Sequence, residues 1–218
     1  ASDWSSDVCS SDLALTALRH DPTLAQAHNA LGVVALFYEW EWAEAERAFH
    51  RAITLDPLYG EAHQRLGMLL TVQRRFDEAR EMFERAQALD PLSRIIATMA
   101  GYPAYYAGDY ADAARRFRQV LQLDPNFSMA HFRLGLACAQ QHQFAEALEE
   151  LAISKALSDD RDVVAALGQV HGMMGHREEA LAAIEELATR SKTAFVPSYA
   201  VAVVYAALGE TGLALDWL

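Results

Sequence analysis

Cysteine is scarce. Two residues in 218, Cys9 and Cys138, make no disulfide framework. Basic charge is also short: 18 Lys and Arg stand against 30 Asp and Glu, a formal net charge of −12. That excludes the basic stripe by which a domain grips nucleic acid. No apolar run is long enough to span a bilayer, and the longest, Phe195 to Leu208, is interrupted by Pro197 and Ser198. Pro and Gly are not enriched, and no low-complexity linker appears. No HExxH, CxxC, GxSxG or phosphate-binding loop occurs. His171 and His176 are five apart, so they do not share a helix face as an i, i+4 metal pair would. The eight histidines therefore read as solvated or core residues. No catalytic group, metal or cofactor is expected, so the chain does not read as an enzyme.

What remains is helical periodicity. In Leu58 to Pro91, apolar Ala62, Leu66, Leu69 and Leu70 recur at helical spacing, and Phe76, Ala79, Phe83, Ala86 and Leu89 do so again. Gln73-Arg74-Arg75 breaks the two runs. Asp77 and Glu78 put negative charge in the first turn of the second helix, where the dipole favours it. Pro91 ends the unit. Helices this short need neighbours to fold, and the chain supplies copies. Asp-Pro punctuation falls at Pro22, Pro57, Pro91 and Pro125, spaced 35, 34 and 34 residues.

Packing residues keep the same register. The runs are Gly32, Ala45, Phe49, Ala52, Pro57; Gly67, Ala79, Phe83, Ala86, Pro91; and Gly101, Ala113, Phe117, Val120, Pro125. The fourth weakens to Gly135, Ala147, Leu151 and Ser154, with Asp159 in place of Pro. The fifth keeps Gly168, Ala180 and Ile184 and then loses the pattern. Small residues let two helices approach, and the large residue fills the gap beyond. This period and these positions resemble the tetratricopeptide repeat, a helix–turn–helix unit. The resemblance implies an all-α, right-handed α-solenoid over residues 14–218. Its parts are a partial repeat at 14–24, repeats near 25–59, 60–93, 94–127, 128–160 and 161–194, and a partial repeat at 195–218.

Residues 1–13 stand apart. Asp3 to Leu13 has no periodicity and looks like one translated frame of a sequencing adapter; a disordered native tail is the alternative. Without Asp3, Asp7 and Asp12 the formal charge of −12 becomes −9. On that reading the chain is a fragment with an uncapped repeat at each end, expected to fray and self-associate. Phe37 to Glu46, Asp90 to Ile96 and Val196 to Glu210 resemble the C-terminal repeat arrays of bacterial multidomain signalling and transcription-regulator proteins. The resemblance implies a cytoplasmic protein whose output domain lies elsewhere.

Family geometry puts first-helix residues in a concave groove. Those carried over are Gln26, Asn29, Val33 and Leu36; Glu61, Gln64, Met68 and Thr71; Ile95, Thr98, Tyr102 and Tyr105; and Met129, Phe132 and Leu136, with Arg65 and Arg133 nearby. They imply a scaffold that binds a peptide or partner domain, with no nucleic acid and no membrane. The Lys/Asn set that clamps a peptide's terminal carboxylates in chaperone-binding members is absent. The alternative is an arm that senses a small molecule. Three local features stand out. The first repeat carries one extra residue, placed in its turn at Tyr38–Trp42, with Trp40 and Trp42 read as packed rather than as an exposed edge. Pro103 interrupts the first helix of the third repeat, either as a tolerated kink or to open the groove beside Tyr102 and Tyr105. The acidic clusters at Glu146, Glu149 and Glu150, at Glu178 and Glu179, and at Glu185 and Glu186 read as solvated faces, and Cys138 as a small core residue.

Overall fold

The computed structural model describes residues 4–158 and 160–218, with side chains from residue 11 on. Residues 1–3, the side chains of residues 4–10 and Asp159 lie outside it. Of the adapter-like stretch, Asp3 and the side chains of residues 4–10 fall beyond the described residues, as does the lost proline position, while the backbone from Trp4 on is helical and continues into the first repeat-like segment. Among those described, regular structure is helical throughout.

Two compact units divide the chain, residues 1–109 and 110–218. The first holds α1 (Trp4–His20), α2 (Ala25–Val34), a π-helical segment (Ala35–Glu39), α3 (Trp42–Leu55), α4 (Gly60–Val72), α5 (Phe76–Leu89), α6 (Arg94–Met99) and α7 (Tyr102–Ala107). The second holds α8 (Tyr110–Leu123), α9 (Ser128–Gln140), α10 (Phe144–Leu157), α11 (Arg161–Met173), α12 (Arg177–Arg190), α13 (Ser198–Ala207) and α14 (Thr211–Asp216). Each is built from antiparallel helix pairs, and the fold is an all-α helical repeat solenoid.

The packing register is as expected where the pattern is strong. Phe49, Phe83 and Phe117 are wholly buried, as are Ala45, Ala79 and Ala113. A Cβ on Gly32 would lie 2.5 Å from the Phe49 ring, and one on Gly67 would lie 3.1 Å from Phe83. Only glycine lets the second helix come this close. In the fourth repeat Ser154 replaces the small apolar residue and is fully buried. Its hydroxyl donates to the Ser128 carbonyl at 3.1 Å, so the buried polar group is satisfied.

The fifth repeat does not lose its pattern; it shifts it. Leu187 is wholly buried at the position where Ala52 and Ala86 stand, while Ile184 is only partly buried. Gly168 meets Ala183 and Val204 instead of a large residue from its own second helix. The sixth repeat opens at Ser198, three residues later than Phe195, because 191–197 form a longer turn.

Asp-Pro punctuation has a physical reading. The carboxylates of Asp21, Asp56 and Asp124 accept the amide two residues on, at 2.8, 3.0 and 3.2 Å, turning the chain between repeats. Where proline is lost, the link between α10 and α11 is 158–160, one residue shorter than the links at 56–59, 90–93 and 124–127. Asp160 there caps α11 by accepting from the Asp162 amide at 2.9 Å.

The inter-helix turns carry a second, less visible period. Trp40, Arg74, Gly108, His142, Gly175 and Gly209 all have positive φ. From Trp40 to Arg74 the spacing is the ordinary 34, although Gly32 to Gly67 is 35. The extra residue is therefore not in the turn. It lies between Gly32 and Trp40 and is absorbed by the π-helical segment, which takes one more residue per turn than the helix it continues.

Pro103 does more than kink its helix. The first helix of the third repeat splits into α6 and α7, separated at Ala100–Gly101, and Pro103 occupies the first turn of α7. There its missing N–H removes no helical bond.

Candidate functional site

The first unit has a cleft of about 460 Å³ between α4, the α5–α6 link and α6. Glu61, Gln64 and Arg65 form one wall because they share a face of α4 at helical spacing. Leu89, Asp90 and Ser93 line the link, where the Ser93 hydroxyl caps α6 by accepting from the Ile96 amide at 3.4 Å. Ile95, Ile96 and Met99 form the opposite wall, and Leu58 closes one side. Leu58 and Ile95 are 69% and 46% exposed, so the cleft offers apolar surface to solvent.

A polar chain runs along its rim. Asn29 Nδ2 donates to the Tyr59 hydroxyl at 3.3 Å, which donates to Glu61 Oε2 at 3.0 Å. Arg65 donates to Glu61 Oε1 at 3.3 Å. Burial, with the Glu61 carboxylate beside it, pushes the Tyr59 phenol up to about 12, so it stays a donor. Asn29 Oδ1 and Arg65 Nε are buried with no hydrogen-bond partner among the described residues. Each such group costs about 1–3 kcal/mol. Gln64 Nε2 lies 2.9 Å from the Met99 sulfur, tying the two walls together.

Of the groove residues expected from the sequence, Glu61, Gln64, Arg65 and Ile95 line this cleft, and Asn29 joins it through Tyr59. Leu36 does not face a groove. It is buried in the core with Ala45, Phe49, Leu66 and Leu69, because the π-helical segment turns it inward. Met68 is half-buried on α4 and outside the cleft. Tyr102 and Tyr105 are half-buried on α7 and stand edge-on to the exposed Tyr106, at 6.4 and 5.3 Å between centroids. The helix break gives the cleft wall to α6, so Ile95 lines it as expected and Met99 joins it in place of the tyrosines. In the second unit, Met129, Phe132 and Arg133 are half-buried on α9, with the Arg133 guanidinium 5.2 Å from the Phe132 ring centre.

Other expectations are corrected. Trp40 and Trp42 are not packed: they are 71% and 38% exposed. Positive φ points Trp40 out of the turn, and α3 buries Ala45 and Phe49 instead. The acidic helix faces are only partly solvated. Glu146 pairs with Arg118 at 2.7 Å and Glu186 with Lys155 at 2.8 Å, each bridging successive repeats. Glu150 accepts from His131 Nδ1 at 2.5 Å. Glu149, Glu178, Glu179 and Glu185 are exposed. Three histidines have a shared task that the sequence reading missed. His28, His63 and His131 each bring Nε2 to the carbonyl of a proline six residues earlier, at 3.1, 3.1 and 2.9 Å. The signal was present as Pro-x5-His, repeated in register. Cys138 is fully buried, and burial pushes its thiol up to about 12, leaving it inert.

Comparison with known proteins agrees with this architecture. Family models described as tetratricopeptide repeat match residues 36–101 and 98–161. Anaphase-promoting complex subunit 3 of Schizosaccharomyces pombe is 28% identical over 166 residues, 76% of this chain and 25% of that protein. The chain thus spans a quarter of that subunit's length. Among solved structures, the anaphase-promoting complex hetero-tetramer Cut9–Hcn1 superposes with a TM-score of 0.74 at 18% identity, over 94% of this chain and 40% of that one. YrrB, described as a tetratricopeptide-repeat protein with an unusual peptide-binding site, gives 0.55 at 19% identity, over 93% and 96%. With two models together covering more than half of its length, the chain belongs to the tetratricopeptide-repeat family.

Proposed function

We propose that this protein is an interaction scaffold that holds an extended peptide segment of a partner in the cleft between α4 and α6. Repeats of this family are generally protein–protein interaction modules, and one structural relative is described by its peptide-binding site. The observation that carries the reading is the cleft's chemistry. Exposed Leu58 and Ile95, with Met99, suit one apolar side chain of the partner. Beside them, Glu61, Gln64 and Arg65 supply polar groups on one wall that suit the carbonyls and amides of a peptide backbone. The scaffold catalyses no reaction and works in the cytoplasm as the partner-recruiting arm of a larger signalling protein, as its resemblance to bacterial repeat arrays implies.

Peptide-display selection on the immobilised protein tests this. Enriched peptides should carry an apolar residue at a fixed position. They should bind an Arg65→Ala/Ile95→Asp variant about tenfold or more weakly, with the thermal midpoint nearly unchanged. Equal binding to the variant would move the site elsewhere. No enrichment, together with a metabolite that raises the thermal midpoint, would favour the small-molecule sensor instead.

A further inference from the structure

The six inter-helix turns are built alike, and that likeness isolates one of them. Each turn has its positive-φ residue two positions before the first residue of the following helix. The pairs with an aromatic ring at the second position are Trp40–Trp42, Arg74–Phe76, His142–Phe144 and, with glycine first, Gly108–Tyr110. In the second hairpin the Arg74 guanidinium covers the Phe76 ring at 5.7 Å. In the fourth, His142 stands edge-on to Phe144 at 5.5 Å. In these two turns the ring is met by a cation or imidazole from its own turn. The first hairpin differs from both: its turn residue is a second tryptophan, and both rings are exposed.

The surroundings are charged for a cation. Glu39 and Glu41 flank Trp40, both exposed and without an ion pair among the described residues. Between Glu39 and Arg47 the sequence has no basic residue. Nearby cations are engaged: Arg47 with Glu44, and Arg75 with Glu46 at 2.6 Å and Glu78 at 2.6 Å. Phe37 and Tyr38, on the π-helical segment, extend the same edge with exposed rings. The extra residue of that segment therefore leaves the hairpin core intact and adds ring surface outside it.

We infer that this edge, Trp40 and Trp42 between Glu39 and Glu41, docks an arginine- or lysine-bearing segment of a partner protein, whose cation takes the place that Arg74 fills on Phe76. A ring face attracts a guanidinium through its quadrupole, and a carboxylate beside it adds a charge-assisted hydrogen bond to the same cation. The net charge of −12 argues against a second copy of the same chain as the occupant. This edge is separate from the α4–α6 cleft, so either can fail without the other.

The test titrates the protein with short peptides of alternating arginine and serine, glutamate and serine, or leucine and serine, followed by calorimetry. The arginine peptide should bind, and the other two should not. Trp40→Gly should weaken binding about tenfold while keeping or raising the thermal midpoint, since glycine is native to this turn position in three other hairpins. Glu39→Gln/Glu41→Gln should weaken it comparably. A Glu178→Gln/Glu179→Gln control, with the same charge change on an exposed part of α12, should not. Equal weakening by both glutamine pairs would reduce the effect to general electrostatics and overturn the assignment. So would binding that survives Trp40→Gly, binding of the leucine peptide alone, or no binding of the arginine peptide.

Discussion

The first and second hairpins share one core and differ at one edge. In both, a glycine of the first helix admits a phenylalanine of the second: Phe49 against Gly32, Phe83 against Gly67. Both second helices run 14 residues and bury alanines at the same places. Yet α4 runs unbroken into its turn, while α2 passes into a π-helical segment that ends at an exposed tryptophan. The difference teaches that this repeat tolerates change where it faces solvent and hardly any where two helices touch. The core sets the register, and the departures are where recognition can be written.

Removing the shared lock is the largest perturbation. Phe49→Ala and Phe83→Ala should each cost about 3–5 kcal/mol and by similar amounts, read as helix-by-helix loss of hydrogen-exchange protection. A large inequality would break the equivalence of the two hairpins. Next is the added methyl. Gly32→Ala should cost about 1–3 kcal/mol, because its Cβ falls 2.5 Å from a Phe49 ring carbon. Gly67→Ala, at 3.1 Å from Phe83, should cost less, so the order of the denaturation midpoints sharpens the comparison.

Relief at the turn is smaller and opposite in sign. Trp40 and Arg74 both hold positive φ, a conformation that costs a non-glycine residue on the order of 1 kcal/mol. Trp40→Gly and Arg74→Gly should each raise the thermal midpoint. Arg74→Gly should gain less, because it also loses the contact with Phe76.

The smallest effect is a dependence on pH. His63 is buried, and burial pushes its ring below the usual 6.5. Below that pH the unfolded chain binds a proton that the folded ring resists. The stability is therefore present above 6.5 and lost as pH falls. His28, its counterpart in the first hairpin, is half-buried, with the same bond to a proline carbonyl. Denaturation midpoints measured between about pH 7.5 and pH 5.5 should fall, and His63→Gln should flatten the fall.

The core was legible because close contact leaves few choices of residue. Gly32, Phe49, Gly67 and Phe83 could be read in order, since a larger or smaller group at any of them clashes or leaves a void. The site was less legible, because it depends on backbone the side chains do not announce. The extra residue was countable, but its place in a π-helical segment depends on hydrogen-bond register, and that register decides that Leu36 points into the core. Ile95 could be placed in the groove and proline at 103 marked an interruption, yet only the split into α6 and α7 adds Met99 to the cleft wall and takes the tyrosines from it. The turn conformation was half-hidden, since glycine marks it at 108, 175 and 209 while Trp40, Arg74 and His142 do not. In the fifth repeat the buried bulk sits at Leu187 rather than at Ile184, a shift that a position-by-position pattern reads as loss.

The most direct test of the account is amide chemical-shift mapping of the labelled protein with a display-selected peptide. The account predicts perturbations concentrated at Glu61, Gln64, Arg65, Ile95 and Met99, abolished by Arg65→Ala/Ile95→Asp. Perturbations confined to the exposed faces of α5 or α12, with the α4–α6 cleft silent, would contradict it.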